Sequence, residues 1–134
     1  MMGKVMGRDI VTESTGDSDI AVASTAVIYT HSMYVAYAEY FKLTYKAVSS
    51  GGTPNVKIQM EVGDVPPTTE GSADTTNYSI PENMSDIESA LATETVHNKA
   101  LNPPASKYLR FKITGNATNP ADTILSMWLT KQES

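Results

Sequence analysis

The chain of 134 residues contains no cysteine, which excludes disulfides and thiolate metal sites and leaves the compartment open. Bases are few: ten Lys and Arg stand against fifteen Asp and Glu, for a net charge of -5. Those ten are scattered, whereas phosphate binding needs them clustered, so no nucleic-acid partner is expected. Nothing approaches the run of about eighteen apolar residues that a membrane span requires, so no membrane partner is expected either. The opening MMGKVMGRDIV carries one Lys and one Arg with no apolar run of signal length behind them, and the protein is expected to be made and used without an export signal of its own.

Catalytic spacings are also missing. His31 and His97 lie in different segments with no HxH or HExxH nearby, and a zinc site needs three or four ligands. No serine sits in a GxSxG elbow. MGKVMG lacks the spacing of a phosphate-binding loop. GDSD at 16–19 and GDV at 63–65 fall short of the alternating oxygen ligands of a calcium loop and read as solvated turns. Asn116-Ala117-Thr118 matches a glycosylation acceptor and reads as a turn. An enzyme would have to gather His31 or His97 with carboxylates such as Glu39, Glu61 or Glu94. No enzymatic activity, cofactor or metal is expected.

What the sequence does carry is alternation. Residues 1–19 are Gly-, Met- and polar-rich with one strand-like piece at 9–13, and they read as an arm preceding a single domain at 20–134. A chain of this size buries roughly two thirds of its unfolded surface and needs no staple. Residues 20–30, IAVASTAVIYT, suit a strand interrupted at Ser24-Thr25. In 40–48, Phe41, Leu43, Tyr45 and Ala47 fall on one face and Tyr40, Lys42, Thr44 and Lys46 on the other, a period of two that makes one dry and one wet face. After the turn SSGGTPN, Val56, Ile58, Met60 and Val62 point inward from NVKIQMEV, and the two strands are expected to form a hairpin. Residues 63–77 form a long loop. Ser85 and Glu88 resemble a capping box, so 85–92 is expected to form one or two helical turns. Residues 93–104 read as a strand stopped by Pro103-Pro104. The fold class is all-β: an antiparallel, jelly-roll-like β-sandwich of about seven or eight strands with at most one short helix.

Seven tyrosines and one tryptophan are the surplus. Most lie on strands, which favours core and subunit contacts over a sugar platform. The closing stretch, SKYLRFKITGNATNPADTILSMWLTKQES, sharpens this. Leu109, Phe111 and Ile113 face one way, as do Leu125, Met127 and Leu129. As a hairpin it would pair Ile113 with Leu125 and Phe111 with Met127, because a one-residue slip turns one set outward. That register sets Arg110 opposite Trp128 as a cation–π pair. The pair either caps the sheet or, with Tyr108 and Ile124, forms a protein–protein contact surface, since Trp, Tyr and Arg are enriched at interfaces.

From Tyr40 to Gln132, the order of alternating strand, GGTPNVKIQMEV, long loop, Tyr-x-Ile-Pro and HNKALNPPASKYLRFKITGNATNPADTILSMWLTKQ resembles small β-rich structural proteins encoded by tailed bacteriophages. The resemblance implies a sandwich that serves as a capsid decoration or head-stabilising subunit, often a trimer, or as part of a tail. Its partners would be the major capsid protein or other virion proteins, its location the virion, and its role non-enzymatic. A carbohydrate-binding or adsorption module is the alternative.

Overall fold

The computed structural model describes residues 5–10, 19–36, 38–82, 84–102 and 105–133, without the side chains of 5–10, 39, 132 and 133. Two antiparallel sheets carry ten strands and, among the described residues, no helix. In the first sheet, β1 (Val5–Ile10) and β2 (Asp19–Val22) lie end to end along one edge of the long β10 (Thr123–Glu133). The other edge of β10 pairs with β5 (Ala38–Val48), and β5 with β8 (His97–Leu101). The second sheet repeats the plan. There β3 (Val27–Tyr29) and β4 (Met33–Tyr34) lie end to end along β9 (Tyr108–Gly115), followed by β6 (Val56–Gly63) and β7 (Glu88–Leu91).

If each split edge strand counts as one, the first sheet runs first, eighth, third, sixth and the second runs second, seventh, fourth, fifth. This is the jelly-roll order of two interleaved Greek keys. The inner faces meet in one core that includes Leu43, Tyr45, Ile58, Phe111, Ile113, Leu125 and Met127. Alternation built it: β6 and β9 keep their apolar set inward and their polar set outward over eight residues each.

Both expected hairpins are corrected. β5 and β6 lie in different sheets, and so do β9 and β10. The inward sets are as read, but Phe111 and Met127 enter the core from opposing sheets instead of sitting side by side. Period two reports which face of a strand is dry; it does not report whether the facing apolar row is a neighbour or a partner across the core. Each connection, 49–55 and 116–122, has seven residues, enough to cross the roughly 10 Å between packed sheets.

The two crossings lie against each other. Asp122 accepts from the hydroxyls of Ser49 (2.6 Å) and Ser50, and Asn119, 2% exposed, accepts from the Asn55 N–H (2.9 Å) while donating to the Val22 carbonyl (2.8 Å). These hydroxyls hold the Asp122 carboxyl below its ordinary value. Asn116 of the acceptor-like triplet donates to Asn55 Oδ1 (2.8 Å) and the Ser89 carbonyl (3.1 Å).

Three smaller differences have local causes. The interruption read at Ser24-Thr25 is a change of sheet: β2 belongs to one and β3 to the other, and Thr25 takes φ 60° between them, a costly value for a β-branched residue that the surrounding pairings hold in place. Residues 85–92 give β7 and no helix. Val56 pairs with Leu91 and the Ile87 N–H donates to the Ile58 carbonyl (2.9 Å), so tertiary pairing overrides a short helical signal. In the segment read as an arm, the strand lies at Val5–Ile10, upstream of the piece at 9–13, whose residues 11–13 fall outside the described chain, as do Tyr37 and Pro103-Pro104.

Candidate functional site

The four residues read as one contact surface fall on two opposite faces. Tyr108 and Arg110 are on β9 in the second sheet; Ile124 and Trp128 are on β10 in the first. Arg110 therefore does not oppose Trp128. Its cross-strand partner is Glu61, and that of Trp128 is Thr44 on one side and Ile10 on the other.

Arg110 is fully buried on the outer face of its sheet, and a loop of its own chain covers it. Its Nε donates to Glu61 Oε1 (2.9 Å) and its Nη1 to the Ser72 carbonyl (2.7 Å). The guanidinium sits over the rings of Tyr29 (4.5 Å) and Tyr78 (4.6 Å), a planar cation between two negative ring faces. Loop 64–77 returns through Ser79, whose N–H and C=O both pair with Val62 (3.2 and 2.9 Å). Glu70 holds the loop to Ser32 through its N–H (2.9 Å) and hydroxyl (2.6 Å). Burial pushes the Tyr78 phenol upward.

The break between β3 and β4 belongs to this layer. Three residues separate Tyr29 from Met33, but two separate their partners Lys112 and Leu109. The extra residue is a bulge that leaves His31 and Ser32 opposite Arg110. Arg110 Nη2 and His31 Nε2 are buried here without a hydrogen-bond partner.

Within the loop, Asp74 accepts from the N–H groups of Thr68 and Asn77 (3.0 Å each) and from Asn77 Nδ2 (3.0 Å). These donors, Thr68 first, lower its pKa from 3.8 to about 2. A depressed carboxyl stabilises the fold above its unfolded value and loses that contribution as pH falls through the folded one. Loop 64–77 is therefore expected to loosen between about pH 4 and pH 2, and Asp74→Asn to show its loose form already at pH 7. Amide exchange of residues 68–79 against pH checks this; protection unchanged down to pH 2 would refute it.

Among the described residues, no hydrogen-bonded loop covers the outer face of the first sheet in this way. Tyr40, Lys42, Lys46 and Val48 of β5 are exposed, and Ile124, Ser126, Trp128 and Thr130 of β10 are half-buried. The outward described residues of β5, β8 and β10 include two lysines and no acid, and the neighbouring Asp19 of β2 accepts from Ser126 Oγ (2.8 Å). A basic, aromatic-bearing sheet face on a chain of net charge -5 is an asymmetric charge distribution.

Where β7 and β8 flank the gap between sheets, polar groups stitch it. Tyr45 of β5 donates to Glu88 Oε2 of β7 across the core, and His97 stacks on its ring (5.2 Å, 11°) while meeting the Thr93 hydroxyl (2.7 Å). Burial first, then Glu88, drives the Tyr45 phenol far above its ordinary value. Lys99 Nζ reaches across to the Ile87 carbonyl (2.8 Å). Beside it opens a cleft of about 560 Å³ with Met60, Val62, Met84, Ile87 and Leu101 among its walls.

Of the residues an enzyme would have to gather, His97 is on the β8 edge against Tyr45 and Thr93, His31 is in the bulge opposite Arg110, and Glu61 is engaged by Arg110. The side chain of Glu39 lies outside the described set. Among the described residues no three His, Asp or Glu side chains are grouped to hold a metal ion, and no helix is long and apolar enough to cross a membrane. No protein-family model matches the chain, and no curated protein matches it.

Proposed function

We propose that this chain is a non-enzymatic virion structural protein, a capsid decoration or head-stabilising subunit, which docks through the outer face of its first sheet across junctions between major capsid subunits. The observation that carries the reading is the difference between the two sheet faces. Loop 64–77 covers the second around Arg110, leaving Val27 and Tyr34 exposed on β3 and β4, while on the first Tyr40, Val48, Lys42 and Lys46 are exposed and Ile124 and Trp128 half-buried. Aromatic side chains beside two exposed lysines, with Asp19 at the edge engaged by Ser126, suit an acidic protein partner. The jelly-roll-like order and the resemblance to phage structural proteins support the same reading, the fold alone being shared by many functions. A subunit that binds only the assembled shell stabilises it by mass action, and a trimer set on a local threefold would do so at three junctions together.

The test is to add the protein to particles lacking it, then measure retention on sedimentation and the temperature of particle disruption. Bound protein should raise that temperature. Lys42→Glu with Lys46→Glu, both exposed, should weaken retention and remove its salt dependence, whereas Trp128→Ala should cost at least about 2 kcal/mol, roughly thirty-fold in affinity. Particles unchanged by the protein would overturn the proposal. Binding of the same face to a glycan array would assign it to an adsorption module instead.

A further inference from the structure

The cleft beside β8 has the form of a slot. Its walls include two consecutive runs of chain, 84–87 on one side and 99–102 on the other, and its floor is Met60 with Val62. Among the described residues β8 pairs only with β5, and none forms a ladder along its other edge. An open strand edge bordering an apolar slot is the geometry of strand addition: main-chain hydrogen bonds hold an extended guest while alternate side chains enter the slot.

Parity defines the side chains. Tyr45, Leu43 and Phe41 point inward and pair with His97, Lys99 and Leu101, so these three are the β8 residues whose row a guest strand would extend. Lys99 is the centre of that row; its Nζ donates across the slot to the Ile87 carbonyl (2.8 Å), a neutral acceptor, and no carboxylate lies within ion-pair distance of it among the described residues. The slot's own acid, Asp86, is engaged by Gln59 Nε2 (2.9 Å), Lys57 (3.9 Å) and Ser89 (3.4 Å).

A second copy does not fit this edge. Twofold antiparallel pairing centred on β8 would set Lys99 against the same lysine, and like charges directly opposite destabilise a ladder. We propose that the β8 edge and its slot take up an extended segment of a different protein, of the pattern apolar–x–acid–x–apolar, with the acid facing Lys99. The inference is independent of the virion reading, since it concerns another edge of the molecule and its test needs no particle.

The probe is a fluorescein-labelled, blocked heptapeptide, Thr-Ile-Thr-Glu-Thr-Val-Thr, compared with versions carrying Gln or Lys in place of Glu. Anisotropy titration should give the Glu peptide about five-fold tighter binding than the Lys peptide, the upper range for an exposed ion pair. Lys99→Glu, which also removes the bond to the Ile87 carbonyl and is checked for folding by circular dichroism, should reverse that order. Leu101→Glu should weaken all three. The proposal is overturned by three results: no saturable binding of the Glu peptide below about 1 mM, a charge preference that survives Lys99→Glu, or a solution dimer that Lys99→Glu abolishes.

Discussion

Replacing Arg110 by methionine is expected to lower stability by about 3–5 kcal/mol, the cost of stranding one member of a buried pair. For a domain of this size that corresponds to a fall in melting temperature of about 10 °C or more. The guanidinium is fully buried, bonded to Glu61 and to the Ser72 carbonyl, and faced by two tyrosine rings. Removing it leaves a nearly buried carboxylate, 11% exposed, and a carbonyl without their donor, and it unpins loop 64–77. The companion variant separates these causes. Arg110→Met with Glu61→Met strands no charge, so it should recover most of the loss, because apolar replacement of a whole buried pair is close to neutral. Loop protection by amide exchange should remain reduced in both, since Ser72 has lost its donor in each. Thermal unfolding by circular dichroism supplies the first measurement. A loss below about 1 kcal/mol would mean that the pair behaves as a surface salt bridge and that the loop does not close over it.

The second large effect is expected from the smallest change, Gly115→Ala. A Cβ built at this position would lie 2.1 Å from the Ala23 carbonyl oxygen and 3.2 Å from Asn119 Nδ2. The first contact is with backbone that cannot swing aside. Ala23 opens the crossing from β2 to β3, and the Gly115 N–H donates to the Ala26 carbonyl (2.8 Å), so relief requires moving the crossing off β9. Overpacking of this kind costs roughly 1–3 kcal/mol where side chains give, and the backbone contact puts this site at or beyond the upper end. Gly63, whose Cβ would meet the Asn77 carbonyl oxygen at 2.5 Å, is the internal comparison. Its neighbour is a loop rather than a sheet crossing, so Gly63→Ala should cost less. Chemical denaturation of both variants checks the order, and a Gly115→Ala protein as stable as its parent would show that the crossing at Ala23 yields freely.

These two sites mark where sequence reading stops. Gly115 stands at the end of KYLRFKITG, where it reads as the start of a turn; that another segment passes within 2.1 Å of its Cβ position is a fact of tertiary structure. Arg110 sits on the outward parity of its strand, so alternation placed it on the outer face, opposite Trp128 in the expected hairpin. Its burial comes from a loop that folds back over that face, and the only sign in the sequence was the loop's length. Glu61, Tyr29 and Tyr78, the partners that make the site, were visible individually and had no signal linking them. Nor did anything mark Lys99 and Leu101 as one wall of a slot.

Alternation by itself determined that the chain is all-β and which residues are dry. Leu109, Phe111, Ile113, Leu125, Met127 and Leu129 are all buried where the period of two put them. That information is local, since successive side chains of a strand point to opposite sides whatever lies alongside. Pairing is not local. A strand's dry face is satisfied equally by a neighbour's dry face in the same sheet or by an opposing sheet across the core, and a seven-residue connection serves both. Only the competition among all ten strands for edges, settled in the folded molecule, sent β6 and β9 to one sheet and β5 and β10 to the other. With that choice Arg110 and Trp128 came to lie on opposite outer faces of the sandwich, Arg110 under the chain's own loop and Trp128 half-buried between Thr44 and Ile10.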